Sequence, residues 1–443
     1  MNILSNITTK IKSFFNPKIN FSFDGGAITS DAGLFLMQDF IHNIGFEETL
    51  NNIFCLESDL AKREHTNESL VMQSIMQSIA GYHNQDDADH LVYDPLFATL
   101  LSKEKVASQP TVSRFMNRLD KQTSQLFEVI NQQLLDTVYQ LAPPEEFLID
   151  VDSTKFLTFG KQYGQAYNKH YDSVGYHPLI AFNGLTGDLI KVENRSGNVY
   201  TSRNITRFLG PIIAHYRKYY PSIRRIVRGD SGFATPELYE LLEAMDSFYC
   251  IRLKSNTKLK SLGYSFSYQQ MTEDDIQKEI TLYGEFEYKA GSWTKARRVI
   301  VKIYKQAGEM VPTTMSFYLT NLDLSPEETV EFYNQRGTSE NMIKEAKNGF
   351  RMDKVNHKNF ITNVNRIQLT GLAYNLVNAF KRIVLPEEYK HYQIETIRNK
   401  FFKIGAKKTS GGRQITYKMA TAYPMQEAFN KTHDNIAYLQ QLF

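Results

Sequence analysis

Phe147-Leu148-Ile149-Asp150-Val151-Asp152 decides how this chain is read. The run is short, rich in β-favouring residues and reads as a strand ending in carboxylates. Working outward, His177 to Phe182 and Asp188 to Glu193 read as the next two strands, with a glycine-containing turn at Asn183-Gly184. Residues 204 to 220 read as a helix. Ile223 to Val227 is a fourth strand, delivering Arg228-Gly229-Asp230-Ser231-Gly232. Thr235-Pro236-Glu237 opens a helix with proline at a permitted first-turn position, and Phe248 to Leu253 is a fifth strand.

Three strands followed by helix, strand, helix and strand suit an α/β fold: a ribonuclease-H-like mixed sheet flanked by helices. Residues 255 to 322 show strand-like alternation (Glu279 to Lys289, Arg298 to Tyr304, Met315 to Leu319) and read as a β-rich insertion. Ser325-Pro326-Glu327-Glu328 is a capping box, and its helix is predicted to run toward Lys347. Residues 20 to about 140 read as helical after a short opening strand. Asp31 is placed to cap a helix carrying Leu34, Phe35, Met37 and Phe40, and a second helix, with Val71, Met72, Ile75, Met76 and Ile79 on one face, stops at Gly81. A third starts near Pro110, with Val112, Phe115, Met116 and Leu119 on one face and Arg114, Asn117, Arg118 and Lys121 on the other. That basic face is either a DNA-reading surface or the solvated side of a bundle helix.

At 443 residues the chain is long enough for two to four domains of about 150 residues each. Its 42% hydrophobic content supports a large core, and 13% aromatics argue against disorder. Lys plus Arg number 51 against 48 acids; a net charge of +3 identifies no partner, so a nucleic-acid case must rest on local patches. The two cysteines, Cys55 and Cys250, lack CxxC spacing, which excludes a disulfide framework, disfavours zinc and reads as two reduced, buried thiols. Lys10 and Lys12 interrupt the apolar N-terminal stretch, so it does not read as a signal peptide. No apolar run reaches the ~18 residues of a membrane span. A cytoplasmic, nucleoid-associated protein with no membrane partner is expected.

Cleaving a phosphodiester with two metal ions needs carboxylates converging at one point, about 4 Å between the ions, with no requirement for Cys or His. Asp152 and Asp230, at the ends of two strands, and Glu340, on the helix after the insertion, are the candidate ligands. Asp150 competes with Asp152, because alternation puts both on one face. Tyr333, Arg336, Glu340 and Lys347 follow at offsets of three, four and seven, which place them on one helical face. The same spacing would serve a solvated face with an Arg336–Glu340 pair and Tyr333 as a core anchor.

The series Tyr333-x2-Arg336-x3-Glu340-x6-Lys347 resembles the Y-R-E-K signature of bacterial cut-and-paste DDE transposases. Asp152-Ser153-Thr154 and Arg228-Gly229-Asp230-Ser231-Gly232-Phe233 resemble that superfamily's first and second aspartate segments. Phe23-Asp24-Gly25-Gly26, Asp86-Asp87-Ala88-Asp89, Asp94-Pro95-Leu96-Phe97, Gln109-Pro110-Thr111, Gly197-Asn198 and Ile404-Gly405-Ala406 narrow the resemblance to the group named for insertion sequence 1380, across nearly the whole chain. The resemblance implies Asp152, Asp230 and Glu340 as ligands of two Mg²⁺ ions, with Mn²⁺ as a substitute. It implies Tyr333, Arg336 and Lys347 as contacts to the DNA end. It also implies double-stranded DNA partners (terminal inverted repeats and target DNA) and a homodimer or larger synaptic assembly.

Trp293, the only tryptophan, lies in the insertion beside Lys295, Arg297 and Arg298. It would either stack on a displaced base, as in better-studied relatives, or pack in a sheet. Arg398, Lys400, Lys403, Lys407, Lys408, Arg413 and Lys418 fall in an acid-free stretch suited to salt-sensitive phosphate binding. Arg224, Arg225 and Arg228 lie close to Asp230 and are expected to contact the cut strand. No Ser-His-Asp or Cys-His pattern supports a covalent nucleophile, and His170 and His177 receive no role. The expected organisation is a mainly helical DNA-binding domain over 1–140 and a catalytic core over 141–254. The insertion over 255–322, the last part of the core over 323–385 and a basic region over 386–443 follow. The expected activity is metal-dependent DNA cleavage and strand transfer, and the alternative is a catalytically inactive, transposase-derived DNA-binding protein.

Overall fold

The computed structural model describes residues 10–54 and 64–441; Cys55 and the start of the N-terminal segment lie outside them. The chain forms two compact units, one of Met1–Arg118 with Phe380–Phe443 and the other of Leu119–Ala379.

The second unit is built on an eight-stranded mixed sheet. Its strands are β1 (Glu146–Ser153), β2 (Leu179–Asn183), β3 (Leu189–Glu193), β4 (Arg224–Gly229), β5 (Phe248–Leu253), β6 (Ile280–Tyr288), β7 (Arg297–Lys305) and β8 (Thr314–Thr320), in the order β6-β7-β8-β5-β4-β1-β2-β3. β4 runs parallel to both β1 and β5, and every other pair is antiparallel. Central strands covered on both faces need apolar residues throughout, and Phe147 to Ile149, Ile226 and Val227 are fully buried.

Two sets of helices cover the sheet. The helices are α1 (Lys121–Leu141), α2 (Ile205–Tyr219), α3 (Pro236–Ala244), α4 (Thr257–Gln270), α5 (Pro326–Asn334), α6 (Gly337–Phe350) and α7 (Phe360–Ile383). On one face Phe147 stacks on Tyr216 of α2 at 4.0 Å, with Tyr139 of α1 edge-on. On the other, Leu148, Ile226, Cys250 and Tyr318 pack with Val330 and Tyr333 of α5. Leu148, Asp150 and Asp152 alternate onto this second face.

The strands expected between residues 255 and 322 form where alternation put them. They extend the one sheet, because β8 pairs with β5 from Cys250↔Thr320 to Leu253↔Phe317. The helix expected to run unbroken toward Lys347 is two helices, with Gln335 and Arg336 between α5 and α6. Its start agrees with the reading: Ser325 and Glu328 cap each other reciprocally, with Pro326 just inside.

At the β3 edge, side-chain amides occupy the backbone. Asn131 of α1 donates to the Leu189 and Ile190 carbonyls. Asn375 of α7 accepts from Leu189 N at 2.8 Å and donates to its carbonyl at 2.8 Å, and Gln368 donates to the Val192 carbonyl.

The first unit is mainly helical. Thr66 caps the helix Asn67–Ala80, which stops at Gly81 with a φ of 93°. The helix Gln109–Arg118 buries Val112, Phe115 and Met116, as its pattern predicts. Asp31 does not cap the helix Leu34–Asn43, whose N-cap is Gly33. Its fully buried carboxylate instead takes the Lys403 ammonium and the Tyr82 hydroxyl, which lie within hydrogen-bond reach from distant parts of the chain. A three-stranded sheet joins Ile28–Thr29 to the hairpin Ala406–Gly411 and Gln414–Met419.

Candidate active site

Two adjacent parallel strands end in acids. Gly229 of β4 pairs with Val151 of β1, so the next residue of each strand, Asp230 and Asp152, is delivered to the same end of the sheet. Asp230 folds back to cap the short turn Ser231–Phe233, accepting from Gly232 N at 2.8 Å. A Cβ on Gly232 would stand 2.9 Å from Asp230 Oδ1 and 3.1 Å from Thr201, so the loop needs glycine for this close approach. Asp152 accepts from Ser153 N at 2.8 Å and from Arg336 Nη2 at 2.8 Å. Burial pushes the Asp152 carboxyl above the usual carboxylate range; Arg336 opposes that shift and the neighbouring Asp230 adds to it.

Both carboxylates line one cavity of about 640 Å³. Tyr171, His177, Asn198, Thr201 and Lys254 line it too, and none of these was assigned a site role from sequence. Its wall is set by Arg195, whose guanidinium donates to the carbonyls of His177, Thr201 and Arg203 at 3.0, 3.1 and 3.2 Å. Burial lowers the Arg195 guanidinium to about 10. His177 Nδ1 meets the Val199 carbonyl at 2.8 Å, and burial lowers its pKa and favours the neutral ring. Tyr167 and Asn168 line the cavity from the edge of a small sheet, Phe156–Leu157, Ser173–Tyr176 and Ala166–Asn168, which periodicity did not signal because its strands are two to four residues long.

Asp150, the other acid on this face of β1, already has a partner. Arg228 lies directly across from it and holds it bidentately, Nε to Oδ1 at 2.7 Å and Nη2 to Oδ2 at 2.8 Å. The two side chains are 0% and 1% exposed. Burial pushes the Asp150 carboxyl up, and the guanidinium opposes it. Arg228, expected from sequence to contact the cut strand, is thus held inside a buried ion pair and also bonds the Phe332 carbonyl. Of the two readings of Trp293, its surroundings match the packed one. It is 7% exposed, edge-on to Tyr239 and Tyr288 with Arg297 over its ring, and presents no face to a displaced base. Tyr333 packs against Tyr318 in the core and does not lie at the surface.

The rest of the four-residue series divides. Arg336 reaches β1, donating to the Val151 carbonyl at 3.1 Å besides its ion pair with Asp152. Lys347 reaches the same strand end, donating to Thr154 Oγ1 at 2.5 Å and the Lys155 carbonyl at 3.0 Å, and burial lowers its ammonium. Glu340 is exposed in the first turn of α6 and does not line the cavity. Among the described residues no group of three Asp, Glu, His or Cys is placed to hold a metal ion. The donors that do converge, Asp152 and Asp230, are hard carboxylate oxygens whose mutual repulsion a divalent cation would relieve, so their chemistry fits Mg²⁺ or Mn²⁺. In the first unit Arg114, Arg118 and Lys407 are exposed, while Lys408 is half-buried with its ammonium on Thr99.

The sequence matches the family model for transposase DDE domain group 1 over residues 11–441. The chain belongs to this family. A DDE transposase is a DNA-cutting and DNA-joining enzyme. No curated protein matches the sequence. Among solved structures, the transposase is similar to a piggyBac transposase synaptic complex with hairpin DNA, at 14% identity and a TM-score of 0.39, covering 84% of this chain and 79% of that one. It is also similar to the catalytic domain of Mos1 mariner transposase, at 11% identity and a TM-score of 0.19, covering 34% of this chain and 72% of that one. No helix among its described residues is long and apolar enough to cross a membrane.

Proposed function

We propose that this protein binds the terminal inverted repeats of an insertion sequence, cleaves the element's ends and joins the freed 3′ hydroxyls to target DNA. We place it in the insertion sequence 1380 group, with a catalytic sheet of ribonuclease-H type. The observation that carries the reading is the pair Asp152 and Asp230 on adjacent parallel strand ends, lining one cavity.

Asp152 and Asp230 would hold the divalent metal, Mg²⁺ or Mn²⁺. When bound, such ions activate the attacking oxygen and stabilise the leaving one. Arg336 aims the Asp152 carboxylate through their ion pair and favours its charged form against the effect of burial. Lys347, drawn to the end of β1 by Thr154, presents a positive charge where a scissile phosphate would gather negative charge. Glu340 follows Arg336 by four residues, so it stands one helical turn from a side chain that touches Asp152. It is the third carboxylate in this reading. Duplex DNA is held by basic side chains of the first unit, Arg114, Arg118 and Lys407 among them, and two copies or more bring the two ends together.

One observation favours the rival, a DNA-binding protein without catalysis: Glu340 stands outside the cavity. A single assay separates the two. Purified protein is incubated with labelled inverted-repeat ends and Mg²⁺, as wild type and as Asp230→Asn. The proposal expects end binding by both and cleavage by wild type alone; full strand transfer by Asp230→Asn, or none by wild type on its own ends, rejects it.

A further inference from the structure

The hairpin of residues 406–419 has two unlike faces. Paired residues of an antiparallel ladder share a face, so Ala406 and Met419, Lys408 and Tyr417, and Ser410 and Ile415 lie on one side. Lys407 and Lys418, Thr409 and Thr416, and Gly411 and Gln414 lie on the other.

The first side is anchored. Ala406 is buried with Ala32 and Ile404, and Met419 and Tyr417 pack against that cluster. The Tyr417 hydroxyl donates to the Pro95 carbonyl at 2.7 Å, its ring meets Phe35 edge-on at 4.9 Å, and the Lys408 ammonium donates to Thr99 at 3.1 Å. The second side is exposed. Lys407, Gln414, Thr416 and Lys418 all face solvent, and Arg413 stands at the tip beside Gly412, whose φ is 63°.

Like charges directly opposed on a ladder destabilise it. Lys407 and Lys418 are such a pair, and the chain carries no acid between Glu395 and Glu427 to relieve them. Among the described residues neither lysine, nor Arg413, has an ion pair. A two-stranded ribbon anchored at its base, with one polar face whose only charges are cationic, has the dimensions that a duplex major groove of ~12 Å admits.

We infer that this ribbon is a duplex-DNA docking element, with Lys407, Arg413 and Lys418 on the phosphates and Thr409, Gln414 and Thr416 turned toward the groove. The inference rests on the DNA-binding part of the proposed function. Lys408, on the anchored side, holds the ribbon in place and is not a phosphate contact.

The test is binding of the full-length chain to a labelled random-sequence duplex across a salt series, followed by fluorescence anisotropy. Each phosphate contact adds about 0.9 to the slope of log affinity against log salt. The triple variant Lys407→Gln, Arg413→Gln, Lys418→Gln is expected to lose two to three from that slope (~0.9 for each of three contacts). Lys408→Gln is expected to keep it. Thr416→Glu, which adds an acid to the same face and removes no lysine, is expected to weaken binding at low salt with an unchanged melting temperature. Wild-type binding with an unchanged slope in the triple variant overturns the ribbon assignment alone. Absence of any salt-dependent binding by wild type overturns both this inference and the DNA-binding reading beneath it.

Discussion

Arg336 Nη2 lies 2.8 Å from Asp152 Oδ2 and donates to the carbonyl of the residue before it. Both side chains are largely buried, at 13% and 19% exposed. Removing the guanidinium in Arg336→Gln leaves burial and Asp230 opposed only by the Ser153 N–H bond, so the folded-state pKa of Asp152 rises further above its unfolded value. Stability carried by such a group is intact below the unfolded pKa and is lost as pH rises through the folded one. The variant is therefore expected to be less stable than wild type by about 1–3 kcal/mol near neutral pH, and by much less near pH 4. Urea unfolding at the two pH values measures this, and an equal deficit at both would show that Arg336 does not govern Asp152.

Asp150 and Arg228 form a pair of a different kind, sealed within the sheet. Breaking a buried ion pair by removing one partner costs about 3–5 kcal/mol, whereas replacing both by apolar residues is often neutral. Asp150→Leu alone is expected to destabilise the protein on that scale, and Asp150→Leu with Arg228→Met to recover most of the loss. Denaturant midpoints decide it; no recovery in the double variant would mean that the pair does more than hold strands together.

Trp293 is the only tryptophan, so its fluorescence reports one site. Enclosed by Tyr239, Tyr288 and Arg297, it is expected to emit at short wavelength and to resist iodide quenching, with or without hairpin-ended DNA. Trp293→Ala is expected to cost about 3–5 kcal/mol of stability. Strong quenching on adding DNA would restore the stacking role that its burial removes.

Glu340 does not line the cavity that Asp152 and Asp230 share. Mn²⁺ binding to the DNA-free protein, followed by electron paramagnetic resonance, is expected to persist in Glu340→Gln and to fall sharply in Asp152→Asn and Asp230→Asn. Cleavage is expected to vanish in all three. Loss of Mn²⁺ binding in Glu340→Gln would show that all three acids meet without DNA.

Strands β1 to β5 of the main sheet were legible because a central strand must be apolar and a strand end must turn: Phe248 to Leu253 was placed to the residue. Alternation could not choose between Asp150 and Asp152, since both share a face; the choice lies in register, which puts Arg228 across from Asp150. Helix α4 escaped notice because its buried stripe is Leu259, Gly263 and Ser267, only one of which is apolar. Pairing of β8 with β5 joins residues some 65 apart, and no local pattern encodes such a partner. The halt between α5 and α6 has no proline or glycine before Gly337 to announce it.

The amides that Asn131, Gln368 and Asn375 lay along β3 have a consequence for how copies of this protein can meet. A bare margin invites a foreign strand to add itself, and repeated addition ends in fibres. Here the inviting carbonyls at Leu189, Ile190 and Val192 are already engaged from within the same chain. Copies of this protein are therefore kept from joining by lengthening the sheet at β3, and any association there must use side-chain surfaces instead.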